Sequence, residues 1–219
     1  MENVLLSEIQ TELRRCAAKA PALKARARVD KIYEVYVLSL VMQAVSSLGA
    51  QCEVRDHRDN RTSVLSVRLA PGLIYSPTTS PGYVWVSYNG NEYELHNGIR
   101  VLGMSRVLHE LDVSVVKRDE ATKCRANRVD PLHSRFLFLA ECKFYGSRLP
   151  LHLGREYLGL IKDFRVNIRT LISNSESDDM HTLITKHRGK ENFDVSPHYQ
   201  ANAHRFVQWL ANELRQILA

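Results

Sequence analysis

The segments His109-Glu110-Leu111-Asp112-Val113 and Phe138-Leu139-Ala140-Glu141-Cys142-Lys143-Phe144 decide how this chain is read. Each has the composition of a β-strand. Side chains alternate along a strand, so Glu110, Asp112 and Ser114 are expected on one face, with Leu111, Val113 and Val115 on the other. Glu141 and Lys143 likewise share a face with Leu139. If the two strands pair, Asp112 and Glu141 lie side by side. Two such carboxylates, with a backbone carbonyl and water, suit Mg2+, a hard cation that prefers oxygen ligands. An ion held there polarises a phosphodiester and lowers the pKa of a bound water. Lys143 is then placed to orient that water, or to stabilise charge developing on the phosphate.

Alone, an acid-x-lysine triplet is expected about once by chance in a chain of this composition. Its setting gives it weight. Phe136-Leu137-Phe138-Leu139-Ala140 precedes it and Phe144-Tyr145 follows, whereas a solvated triplet belongs in a polar stretch. Cys142 and His109 point away from the acids. Cys142 is expected to be a buried thiol whose backbone carbonyl alone is a candidate ligand, and His109 a satisfied core or edge histidine. Glu110 could be an extra ligand but reads more readily as a solvated acid.

Upstream, residues 29–48 predict a helix that starts near Asp30 and stops at Gly49, with Val37, Leu40, Val41, Ala44 and Leu48 as its buried stripe. Glu34 falls close to that apolar face. An earlier helix is expected over residues 2–18, from Leu5, Ile9, Leu13 and Ala17, with a basic linker to residue 28. Strands are expected over 51–56 and 63–69, and in a hairpin of 83–88 and 92–96 around Asn89-Gly90-Asn91. Residues 71–81, with three prolines, and 118–131, which are polar, read as loops. Residues 153–171 predict a helix, 181–186 a short strand between loops, and 201–218 a closing amphipathic helix. The fold class is therefore α/β, a mixed α+β sheet flanked by helices. It divides into an N-terminal helix and linker (1–28) and a main domain (29–219).

Whole-chain properties narrow the class. At 219 residues the chain can fill one core. No run approaches the roughly 18 apolar residues of a membrane span, and the Met-Glu-Asn start shows no secretory pattern, so a cytoplasmic location without membrane contact is expected. Cys16, Cys52, Cys124 and Cys142 match neither zinc nor disulfide spacing and are expected to be free thiols. The formal net charge of +6 favours a polyanionic partner.

Glu34 on the first core helix, Asp112 on one strand and Glu141-Cys142-Lys143 on the next resemble the motif of the PD-(D/E)XK nuclease superfamily, which includes type II and type IV restriction endonucleases and Holliday-junction resolvases. The resemblance spans roughly residues 29–218 and extends to element order. Leu111 stands where that motif has a proline. What it implies is a restriction endonuclease-like core, with an extra N-terminal helix and β-hairpin, that hydrolyses DNA with Mg2+, for which Mn2+ can substitute. Asp112 and Glu141 would be metal ligands together with the Cys142 carbonyl, Lys143 the catalytic lysine, and Glu34 an accessory acid.

Lys117, Arg118, Lys123, Arg125 and Arg128 lie between the two acid-bearing strands in sequence, and Arg148 and Arg155 follow Lys143. As a cluster they are candidates to track a DNA backbone; singly, each reads more readily as a solvated cation. Little chain remains for sequence-specific recognition, so either modest specificity or a protein partner that supplies it is expected, as in antiviral defence or DNA repair. Cutting both strands of a duplex favours a homodimer. Two alternatives stay open: a non-catalytic nucleic-acid-binding or scaffold protein on this fold, and a structure-specific or RNA-directed nuclease.

Overall fold

The computed structural model describes residues 29–76 and 81–218. The helix expected over 2–18 and the 1–28 unit lie outside the described residues. Within them the chain forms five α-helices and a seven-stranded mixed sheet, in the order α1 (Val29–Ser47), β1 (Gln51–Arg55), β2 (Tyr83–Tyr88), β3 (Asn91–Leu102), β4 (Leu108–Lys117), α2 (Arg118–Asn127), β5 (Phe136–Lys143), α3 (Leu151–Lys162), β6 (Ile168–Ser173), α4 (Asp178–Lys186), β7 (Glu191–Asn192) and α5 (Gln200–Leu218). The strands lie in sequence order, antiparallel from β1 to β5 and parallel from β5 to β7. Antiparallel neighbours need only tight turns, and the Asn89-Gly90 turn supplies one through left-handed residues (φ 49° and 77°). Parallel neighbours need a crossover; α3 provides it between β5 and β6, and α4 between β6 and β7.

Two cores form, one on each face. α1 and α5 cover the first, with Val113, Val115, Phe138 and Ala140 beneath them. α2, α3 and α4 cover the second, over Ile99, Val101, Leu111, Leu139 and Leu171. α1 is buried on every side from Ile32 to Met42, not along one stripe as its spacing suggests. Glu34 and Ser39 are the polar side chains in that run, and a helix enclosed on all faces is apolar on all faces. Glu34 therefore sits in a setting where an acid is costly.

Several elements differ from expectation. Residues 63–69 form no strand. Asn97 takes over the pairing there, accepting the Arg68 N–H (3.1 Å) and donating to the Arg68 carbonyl (2.8 Å). Residues 118–127 are a helix instead of a loop. Its apolar stripe is only Ala121 and Cys124, too thin to register as a period, while Arg128 ends it in the left-handed region (φ 55°). The helix expected over 153–171 stops at Lys162, and Ile168 starts β6. Residues 181–186 are helical: the Ser177 hydroxyl caps the Met180 N–H, with Asp178 and Asp179 in the first turn.

A polar network fastens α2 to the sheet. Glu94, fully buried on β3, accepts both Arg125 guanidinium nitrogens (2.7 and 2.6 Å) and contacts His96 Nε2 at 2.9 Å. Arg118 reaches Glu94, Glu92 and Asp59. Removing one partner of such a pair strands a buried charge. Arg125→Met is expected to cost about 3 kcal/mol in a urea unfolding series; a midpoint equal to wild type would show that His96 and Arg118 suffice for Glu94.

Candidate metal centre

β4 and β5 part company where the acids lie. Their backbone pairing runs from Val116–Phe136 to Val113–Ala140, with a bulge after Val115. Beyond Ala140 the Cys142 N–H turns to the Asp112 side chain, donating to Oδ2 at 2.7 Å. The carboxylate thus occupies the gap between two strands that have stopped pairing. On its other side β4 pairs with β3 as Asn97–Val113 and Ile99–Leu111, which sets Asp112 opposite Gly98. Gly98 has φ 56°, a conformation glycine adopts freely. Regular alternation fails across this point. Val113 and Val115 join the first core whereas Leu111 joins the second, so the three do not share a face.

Around Asp112 the structure gathers Glu34 from α1 and Glu110 from β4. Each of the three offers a carboxylate oxygen within 4.8 Å of the others, so the set could hold a metal ion. Glu34 and Asp112 are buried, at 4% and 8% exposure, and Glu34 Oε2 is buried without a hydrogen-bond partner. An orphaned buried carboxylate oxygen fits a cation site. Glu110, read from sequence more readily as a solvated acid, instead belongs to this group.

Glu141, expected beside Asp112, is not part of that set; it pairs with Lys143 (Nζ to Oε1, 2.7 Å), and its charge reaches Asp112 only through space. Cys142 packs against the first core, so its thiol faces away from Glu141 as expected. His109 is satisfied: Nε2 lies 2.7 Å from Asp163 Oδ2 and the ring stands edge-on to Phe164 at 5.3 Å. Phe144, next to Lys143, meets Tyr33 of α1 at 5.4 Å, and the Tyr33 hydroxyl donates to the Val195 carbonyl at 2.9 Å, which fixes α1 against the end of β5.

Sequence reasoning missed Lys31. Its ammonium lies 2.7 Å from Glu34 Oε1 and 3.1 Å from Glu110 Oε1. The i,i+3 spacing to Glu34 was the available signal; the contact to Glu110 comes only with the fold.

Burial raises the Asp112 pKa well above the carboxylate range, and the negative charges of Glu141 and Glu34 push it further, against the Cys142 N–H and Lys143. Burial likewise lifts Glu34 to about 7, against the pull of Lys31. Burial opposes the Lys31 charge, yet Glu34 and Glu110 more than offset it and hold the ammonium above its usual range. Burial opposes Lys143 too, and Glu141 reverses the shift. Buried, mutually repelling carboxylates of this kind favour either protons or a metal cation.

The basic candidates are not one cluster. Arg118 and Arg125 are committed to Glu94, Glu92 and Asp59. Lys117 ends β4 about 17 Å along the strand from Asp112, five residues at about 3.4 Å each. Lys123 and Arg128 are exposed on and just after α2, and Arg155 is exposed on α3. Arg148 lies on the loop after β5, 3.6 Å from Asp178 and 3.9 Å from Asp179. It borders a polar cavity of about 430 Å3 shared with Asn174, Ser175 and Tyr199. No family model matches this chain, and no curated protein matches it.

The raised Glu34 pKa has a stability consequence of definite sign. Between its ordinary value of 4.5 and about 7, the folded state holds a proton that the unfolded state has released, so this group makes stability fall as pH rises through that window. In EDTA, Glu34→Gln is expected to flatten that decline and to melt above wild type at pH 8. Parallel melting curves for the two proteins across pH 4.5–8 would refute it.

Proposed function

We propose that this protein is a Mg2+-dependent endonuclease that hydrolyses DNA phosphodiester bonds. The observation that carries the reading is Asp112, an almost wholly buried carboxylate in a gap between two strands, with two further carboxylates close enough to share a cation. The resemblance of Glu34, Asp112 and Glu141-Cys142-Lys143 to the PD-(D/E)XK pattern supports it, as does the mixed sheet with helices on both faces.

In this reading Asp112 and Glu141 bind the ion, with the Cys142 carbonyl beside them and Mn2+ as a substitute. When bound, the ion polarises the phosphodiester and lowers the pKa of a water. Lys143, held by Glu141, orients the attacking water or meets the charge that develops on the phosphate. Glu34 and Glu110 fix the back of the site. The substrate is double-stranded DNA, tracked by Arg148 and Arg155 and by the unpaired cations Lys117, Lys123 and Arg128. The protein acts in the cytoplasm as a homodimer, with a partner that supplies specificity, in antiviral defence or DNA repair.

Plasmid incubated with Mg2+ or Mn2+ is expected to be cut, and EDTA to stop the cutting. Asp112→Ala should abolish it, and Lys143→Ala should slow it by about 10²–10³-fold, the usual cost of one charge-stabilising donor. Duplex binding without cleavage under both metals would favour the non-catalytic alternative. Faster cleavage of RNA or four-way junctions than of duplex would favour the structure-specific one.

A further inference from the structure

Lys31 is more than a surface partner for Glu34. Its side chain is 13% exposed, and its ammonium touches two of the three carboxylates that form the candidate cation set. It reaches them from the first turns of α1, a helix enclosed on all sides from Ile32 to Met42, so the amine is tethered to a rigid element. The other lysine, Lys143, neutralises Glu141 in the same way on β5.

The charge balance of the site follows. Glu34, Glu110 and Asp112 bring three carboxylates and Lys31 one ammonium, while Glu141 and Lys143 neutralise each other beside them. Two formal negative charges remain when all are ionised. One divalent ion balances them; a second would leave a partly buried excess of positive charge, beside an ammonium that already occupies the Glu34–Glu110 end. Like charges in a partly desolvated site repel far more strongly than in water.

We propose that Lys31 is a built-in second cation of the centre. It holds the Glu34 and Glu110 carboxylates, so that the site takes a single divalent ion at its Asp112 end, where the same three carboxylates without the amine would take a second. Lys31 is thus a positioning residue that acts through two acids and sets metal stoichiometry. The inference rests on the metal-dependent reading given above.

The test counts ions on the full-length protein without DNA. Mn2+ binding is followed by electron paramagnetic resonance of the free ion and by calorimetry. Wild type and Lys31→Arg are expected to bind one Mn2+ per chain. Lys31→Met, which keeps the stem and loses the charge, is expected to bind two. Two ions on the wild type would overturn the proposal whether or not the variants fold, and so would a single ion on a folded Lys31→Met with unchanged affinity. If Lys31→Met does not fold, Lys31→Gln serves in its place: two ions are expected there too, and a single ion at unchanged affinity would count against the tethered amine. The reading beneath fails differently: wild type and Asp112→Ala would then both bind no Mn2+ at all, and the proposal would go with it.

Discussion

The Asp112 carboxylate is the constraint around which this molecule is arranged. It takes the Cys142 N–H that would otherwise face an unpaired stretch of β4, so one hydrogen bond both closes the gap between the strands and fixes the acid within it. A buried carboxylate with a single backbone donor is poorly compensated. Everything nearby answers that deficit: Lys143 tempers Glu141, Lys31 tempers Glu34 and Glu110, and the remaining charge is of the sign and density that draws a cation. α1 supplies Lys31 and Glu34 from the one face, while Leu139, beneath Glu141 and Lys143, anchors the other.

The far end of the sheet solves the opposite problem. Glu94 is buried as deeply as any acid among the described residues, yet two arginines and a histidine surround it, and its pKa is lowered: burial works to raise it, and the hydrogen bonds from Arg125 and His96 prevail. A carboxylate with its charge fully met holds elements together, here β3 and α2. A carboxylate left short of cations is fitted for binding one. The same side-chain chemistry serves both purposes, and the count of nearby donors separates them.

How far the sequence could be read depends on the range of each signal. The hairpin at Asn89-Gly90, the strands carrying Asp112 and Glu141, and the last helix were legible because period and turn chemistry are local. The approach of Glu34 to Asp112 was legible because each lies in an apolar run that makes a charge conspicuous. α2 was not, since two small buried residues leave no period and its stability comes from ion pairs with β3. α4 was mistaken for a strand because its apolar face is short, although Ser177 with two following aspartates marked a helix start. The irregular course of residues 63–69 depends on the Asn97 side chain 29 positions away from Arg68. Lys31 and Glu110 were hidden for the same reason: their meeting spans 79 residues.

The change from antiparallel to parallel pairing at β5 bears on how the protein comes together. β2, β3 and β4 are joined in sequence order by short connections, and such pairings close at low entropic cost. β5 to β7 need crossover helices, and α1 must return from the start of the chain to pack on α5 near its end. Asp112 belongs to the first group, Glu141 and Lys143 to the strand that joins the two, and Glu34 and Lys31 to the helix that docks across them. No partly folded form that lacks one of these three pieces contains the whole charge cluster. The full mutual repulsion of these acids is therefore a property of the complete fold, and is absent from any form in which α1 is undocked from the sheet.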